Sequence, residues 1–196
     1  MQTGRYGVYD AELARVLLTE QQIRNKIDEL AEQLSRDFRE RCRDGADALV
    51  LVGVLKGSVM FLADLARALS IPAQLEFLTL SSYGSAAVSS GKVRLVNDLE
   101  TDLSSRHVLI VEDVIDSGLT LAWLLQHLEV RKPASLEVCA LLRKQTTRKA
   151  DVPVRYVGFD IPNEFVVGYG IDFAERYRDL PFIAILETAA EPCTPR

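Results

Sequence analysis

The sequence predicts an α/β protein with a mostly parallel sheet flanked by helices, and three observations carry that prediction. Two runs, ALVLVGV at 48–54 and HVLIVED at 107–113, are continuously apolar or nearly so. Such runs suit strands covered on both faces. Each leads through a short turn, LKGS or VIDSG, into a stretch of helical character. The resulting β-α-β alternation is the pattern of parallel sheets packed between helices. At 196 residues the chain fits one domain, 1–196, large enough to bury roughly 70% of its extended surface.

Taken in order, residues 1–10 read as a loosely held arm. A long helix starts near Thr19, where Thr19 and Gln22 match a capping box. Ile23, Ile27, Leu30, Leu34 and Phe38 then share one face at helical spacing, and Gly45 is a candidate stop. After the strand at 48–54, SVMFLADLARALS (58–70) reads as a helix and QLEFLTL (74–80) as a strand. SSYGSAAVSSG (81–91) is small and polar, the composition of a long mobile loop. KVRLVND (92–98) and HVLIVED (107–113) are strands, GLTLAWLLQHLEV (118–130) a helix and SLEVCALL (135–142) a strand. Short strands are expected near 154–158 and 181–186. The tail TAAEPCTPR (188–196) reads as frayed.

Composition narrows the function classes. The net charge is −5, which argues against general nucleic-acid binding through clustered bases. The exception is local: RKQTTRKADVPVR at 143–155 holds five bases. No apolar run approaches the ~20 residues of a membrane helix, and the start MQTGRYGVYD lacks the apolar core of a signal peptide. Cys42, Cys139 and Cys193 form no metal spacing with the two histidines. A reduced cytoplasm is the expected compartment.

In parallel sheets ligands bind beyond the carboxyl ends of the strands, where strand order switches. The informative motif there is VLIVEDVIDSGLTLAWLL, 108–125. In DSGLT (116–120), backbone N–H groups at a helix start can hold a phosphate without a cation. Gly118 allows close approach, and Ser117 and Thr120 add hydroxyls. The same turn is also compatible with a plain helix cap. Glu112 and Asp113 precede it. Beside a phosphate, carboxylates suit sugar hydroxyls or Mg²⁺; alone, they are also an ordinary solvated strand end. Lys56 in LKGS and Lys144 after CALL are, taken singly, more simply solvated lysines. An isolated FVV at 165–167 is more simply core.

Together these segments resemble a family. VLIVEDVIDSGLTL is similar to the phosphoribosyl-diphosphate signature of type I phosphoribosyltransferases. VLKGSVMFLADL (54–65), SSYG (81–84), LLRKQTTR (141–148) and GFDIPNEFVVGYGIDFAERYRDLPFIAIL (158–186) resemble the hypoxanthine–guanine, or 6-oxopurine, branch. The likeness runs from about residue 20 to 187. It implies a type I phosphoribosyltransferase fold with a small hood formed by chain-terminal segments. It also implies an enzyme of purine salvage that displaces pyrophosphate from phosphoribosyl diphosphate with N9 of hypoxanthine or guanine, giving IMP or GMP.

The resemblance carries roles onto positions of this chain. Asp116 transfers the proton at purine N7. The 5′-phosphate lies on Asp116, Ser117, Gly118, Leu119 and Thr120; Leu119 stands where some relatives carry lysine, leaving the backbone donor in place. Glu112 and Asp113 serve the ribose hydroxyls, directly or through Mg²⁺ and water. Lys56 and Gly57, on a loop that in relatives often has a cis peptide before the lysine, hold pyrophosphate together with Arg178. Ser58 stands where some relatives have a second glycine. Lys144 donates to purine O6, Phe165 stacks on the base, and the backbone of Val166 bonds its edge. Asp172 lies near the 2-substituent and approaches a metal through water. Ser82 and Tyr83 belong to a loop that closes during reaction. Arg143 and Arg176 are expected to point away from the site. Relatives form dimers and tetramers, so a homodimer or homotetramer is expected. The alternatives are a non-catalytic regulator that senses phosphoribosyl diphosphate on the same fold, and a transferase preferring another base such as xanthine or adenine.

Overall fold

The computed structural model describes residues 13–42, 48–82, 93–145 and 150–187. The expected arm (1–10), tail (188–196), helix stop at Gly45 and Tyr83 lie outside them. Along the chain run β1 (Leu13–Leu18), α1 (Glu20–Phe38), β2 (Leu49–Leu55), α2 (Val59–Ala68), β3 (Ala73–Ser82) and β4 (Val93–Asn97). Then come β5 (His107–Ile115), α3 (Leu119–Glu129), β6 (Ser135–Lys144), β7 (Tyr156–Ile161), β8 (Val166–Val167) and β9 (Ile183–Leu186). Six strands form one sheet in the order β4-β3-β2-β5-β6-β7. All its pairs are parallel except β3 with β4. Strand order reverses between β2 and β5, the switch point, and both strands end in the motifs singled out above.

Period-2 alternation divides the core. Leu49, Leu51, Leu109, Val111, Cys139 and Leu141 face α1 and α2. Val50, Val52, Val108, Ile110, Val138 and Ala140 face Leu121, Leu124 and Leu128 of α3. Every one of these side chains is essentially inaccessible. This double coverage is why β2 and β5 read as continuous apolar runs and not as alternating ones.

The second sheet is antiparallel, β1-β9-β8, with Leu18 paired to Ile183 and Val166 to Ile185. It joins strands from both chain-terminal regions, which is the hood. β1 and β8 carry no strong sequence signal. LARVLL exposes three of its six residues and β8 is two residues long; pairing to β9 makes both strands.

Thr19 caps α1 as expected, its hydroxyl accepting from the Gln22 N–H while Gln22 Oε1 accepts from the Thr19 N–H at 2.9 Å. The helix stops at Phe38, well short of Gly45. Phe38 is fully buried and its carbonyl is bonded by the N–H groups of Arg41 and Cys42, which close the end as a tight turn. β3 continues through Ser81 and Ser82, two residues into the segment read as loop, because they pair with Arg94 and Val93 of β4. β5 and β6 likewise run two residues further than expected, since Ile115 pairs with Arg143 and Lys144 with Ile161. No helix of the described residues is long and apolar enough to cross a membrane.

Candidate active site

The site gathers at the carboxyl ends of β2, β5 and β6 and against the hood. β5 delivers Glu112 and Asp113 to opposite sides of the sheet, as consecutive strand residues must be. Glu112 faces a cavity of about 170 Å³ lined also by Val54, Asp116, Ser117, Gly118 and Thr120. Leu119 begins α3 beside it. Gly118 has φ +78°, and a Cβ there would come within 2.9 Å of the Ala150 carbonyl oxygen. Both facts call for glycine at this turn. The Ala150 N–H donates to the Ser117 carbonyl at 3.2 Å, bracing the turn from the 150–155 segment.

Asp113 turns toward the loop after β2. A Cβ on Gly57 would sit 2.0 Å from Asp113 Oδ2, so only glycine lets loop and carboxylate meet. The Leu55–Lys56 peptide of this loop is cis. Ser58 is fully buried and its hydroxyl donates to the Val54 carbonyl at 2.8 Å, tying the loop's two ends together. Burial lifts Asp113 to about 6, partly offset by its hydrogen bond from the Val114 N–H and by Arg178. Burial, reinforced by Asp113, pushes Glu112 well above the usual carboxylate range. A buried acid next to a half-buried one favours a proton, a cation or hydroxyl donors.

β6 ends in Arg143 and Lys144, which point oppositely. Arg143 forms a two-pronged pair with Asp160 at 2.6 and 2.9 Å. Lys144 is only 9% exposed, and its Nζ lies 3.1 Å from Asp116 Oδ2. The strand thus sends one cation outward and one toward the cavity, next to the carboxylate of Asp116.

The hood supplies the remaining residues. Val166 is buried in β8. Phe165 is 42% exposed and meets Phe173 edge to face, with ring centroids 5.4 Å apart. Arg178 donates to the Gly170 carbonyl at 2.8 Å and pairs with Asp172 at 2.8 Å. Its Nε–H is buried with no acceptor among the described residues. Arg176 instead lies over the Tyr177 ring. Lys56 reaches across to Glu175 at 3.0 Å. Sequence reasoning did not single out Phe173 or Glu175. Only their spacing of eight and ten residues from Phe165, inside one matched segment, hinted at them. Ser82 contributes backbone to β3. Among the described residues no three or more His, Cys, Asp or Glu side chains form a metal cage.

A mostly parallel sheet with an acidic strand end and a glycine turn at its switch point, roofed by a small second sheet, is the architecture of a phosphoribosyltransferase. The sequence model of the phosphoribosyl transferase domain matches residues 16–174. The hypoxanthine-guanine phosphoribosyltransferase of Mycobacterium tuberculosis is 54% identical over 180 residues, covering 92% of this chain and 89% of the relative. The hypoxanthine phosphoribosyltransferase of Salmonella typhimurium is 48% identical, covering 86% and 92%. A crystal structure of a Staphylococcus aureus hypoxanthine phosphoribosyltransferase superposes with a TM-score of 0.86 at 42% identity, covering 93% and 96%. The chain belongs to the phosphoribosyltransferase family, on its hypoxanthine-guanine branch.

Proposed function

We propose that this enzyme transfers the phosphoribosyl group of phosphoribosyl diphosphate to N9 of hypoxanthine or guanine. The N9–C1 bond forms as the C1–O bond to pyrophosphate breaks, and the purine gives up one proton. The observation that carries this reading is the Lys144–Asp116 pair at 3.1 Å beside the phosphate turn. A buried cation donates to a 6-oxo group and offers nothing to a 6-amino group. That mismatch costs ~1–3 kcal/mol. Asp116 is then placed to take the proton from N7 and to stabilise positive charge developing on the ribosyl ring. Phe165, half exposed against Phe173, is a platform for the base, and Val166 offers its backbone to the base edge.

The 5′-phosphate is assigned to the main chain and hydroxyls of Asp116 to Thr120, including Leu119, at the start of α3. Pyrophosphate is assigned to Lys56, Gly57 and Arg178, where the buried, unaccepted Nε–H of Arg178 suits an anion. Ser82 and Tyr83 are assigned to a closing segment that excludes water. Glu112, Asp113 and Asp172 are assigned as oxygen donors toward Mg²⁺, of which Asp113 and Asp172 lie near enough to interact; Mg²⁺ is commonly held by one or two carboxylates together with substrate phosphates. The raised state of both β5 acids is the kind of charge burden a divalent cation relieves. When bound, Mg²⁺ neutralises charge on the leaving pyrophosphate. The chain is proposed to work as a single domain in the cytoplasm, assembled as a homodimer or homotetramer.

The test is product formation. Protein, Mg²⁺, phosphoribosyl diphosphate and hypoxanthine should yield an N9-linked nucleoside monophosphate by chromatography. Folded protein that binds phosphoribosyl diphosphate but forms no nucleotide with any purine would contradict this and favour a sensor.

A further inference from the structure

We propose that Glu175 is an internal counter-anion that occupies the pyrophosphate subsite, holding Lys56 and Arg178 until pyrophosphate displaces it. This rests on the assignment of those two cations to pyrophosphate. Glu175 lies in the turn between β8 and β9, with its N–H donating to Asp172 Oδ2 at 2.9 Å. That bond fixes the backbone from which the side chain projects. One carboxylate oxygen, Oε2, then accepts from Lys56 Nζ at 3.0 Å. The other, Oε1, lies 3.4 Å from Arg178 Nη2. A single carboxylate therefore addresses both cations, one from the loop after β2 and one from the segment between β8 and β9.

The chemistry matches a placeholder. A carboxylate presents two anionic oxygens, as one face of a phosphoryl group does, and accepts the same lysine and arginine donors. Lys56 and Glu175 are both about two-thirds exposed (65% and 66%), so water and salt screen the pair and it exchanges readily. Pyrophosphate carries several charges and outcompetes one carboxylate. Arg178 keeps its second anchor on Asp172, so it stays oriented when Glu175 lets go. The consequence is directional: Glu175 competes with the leaving group and speeds its departure. Glu175 is a positioning residue, acting on pyrophosphate through Lys56 and Arg178.

The test is calorimetric titration of pyrophosphate with Mg²⁺ into the full chain, for wild type, Glu175→Gln, Lys56→Met and the double variant, with IMP titrated in parallel. Glu175→Gln should tighten pyrophosphate roughly 2- to 5-fold and leave IMP, which lacks the pyrophosphate group, unchanged. Lys56→Met should weaken pyrophosphate, and most of the gain from Glu175→Gln should vanish in that background. If Lys56→Met weakens pyrophosphate but Glu175→Gln leaves it unchanged or weaker, Glu175 is no counter-anion and the subsite assignment stands. If Lys56→Met has no effect, the subsite assignment fails and the counter-anion idea falls with it. Weakening of both ligands by Glu175→Gln would mark a structural role and overturn the proposal.

Discussion

The two ends of the six-stranded sheet treat charge in opposite ways. At the amino ends of β6 and β7, Arg155 pairs with Glu137 and Asp37, both at 2.9 Å, and Arg41 pairs with Glu137 at 2.9 Å. The Tyr156 hydroxyl donates to Asp37 at 2.8 Å. Arg106, just before β5, donates to the Ala48 carbonyl and to Gln74. Asp37 and Glu137 there each meet an arginine, and the cluster ties α1 to the sheet, while the Arg106 Nε–H is buried with no acceptor among the described residues. At the carboxyl ends, Glu112 is buried and Asp113 half-buried on the two sides of β5, glycine permits contacts no side chain would, and Lys144 is buried against Asp116. The difference separates holding the fold from using it. One end pairs arginines with carboxylates across α1, β6 and β7, while the other gathers acids and a lysine around a cavity.

The largest effect expected from breaking this contrast is Asp116→Asn, which removes the proton acceptor but keeps the shape. Turnover should fall about 100-fold or more, while the melting temperature and nucleotide binding hold. Steady-state kinetics with calorimetry of IMP binding check this, and near-wild-type turnover would remove Asp116 from proton transfer.

Next is the pH dependence set by Asp113. Burial raises its folded-state value to about 6, from an ordinary value of 3.8. Between those values the folded protein binds more protons than the unfolded one. Stability of the metal-free protein therefore falls as pH rises from 4 to 6, and buried Glu112 acts in the same direction. Asp113→Asn should flatten that fall, gaining on the order of 2 kcal/mol relative to wild type at pH 7 compared with pH 4. Urea denaturation with chelator at several pH values reads it; parallel curves for the two proteins would contradict it.

Lys144→Ala should reduce the preference for hypoxanthine over adenine by roughly 10-fold, within the range for an unmet buried donor. Specificity constants for the two bases measure the change, and an unaltered ratio would remove Lys144 from base recognition.

The smallest effect belongs to the other end of the sheet. Glu137→Ala deprives two arginines of a shared acceptor and should cost about 1 kcal/mol of stability. The turnover of the folded protein should stay at its wild-type value. A loss of turnover without a loss of stability would mean that the two ends are not separate.

The contrast also explains what was legible in the sequence. The doubly covered strands β2 and β5 announced themselves as apolar runs, and the carboxyl-end motifs are local in sequence. Asp113, Gly118 and Lys144 could therefore be assigned through the resemblance of those motifs to a family, although Lys144 taken singly reads as a solvated lysine. Their partnerships could not, since Gly57 against Asp113 or Lys56 against Glu175 joins segments far apart. β1 and β8 were missed because their strand character comes from pairing with β9 and not from their own residues. The length of α1 was overestimated because Phe38 ends the buried face and a turn closes directly behind it. The amino-end network drew no attention, because charged residues at helix and strand ends read as ordinary solvated surface until Asp37, Glu137 and Arg155 are brought together.

The most direct measurement is pyrophosphate release from phosphoribosyl diphosphate and Mg²⁺, run separately with hypoxanthine, guanine, xanthine and adenine. The carboxyl-end arrangement predicts release with hypoxanthine or guanine and release at roughly a tenth of that rate or less with adenine. Adenine turning over as fast as hypoxanthine, or silence with every base from folded protein, would contradict it.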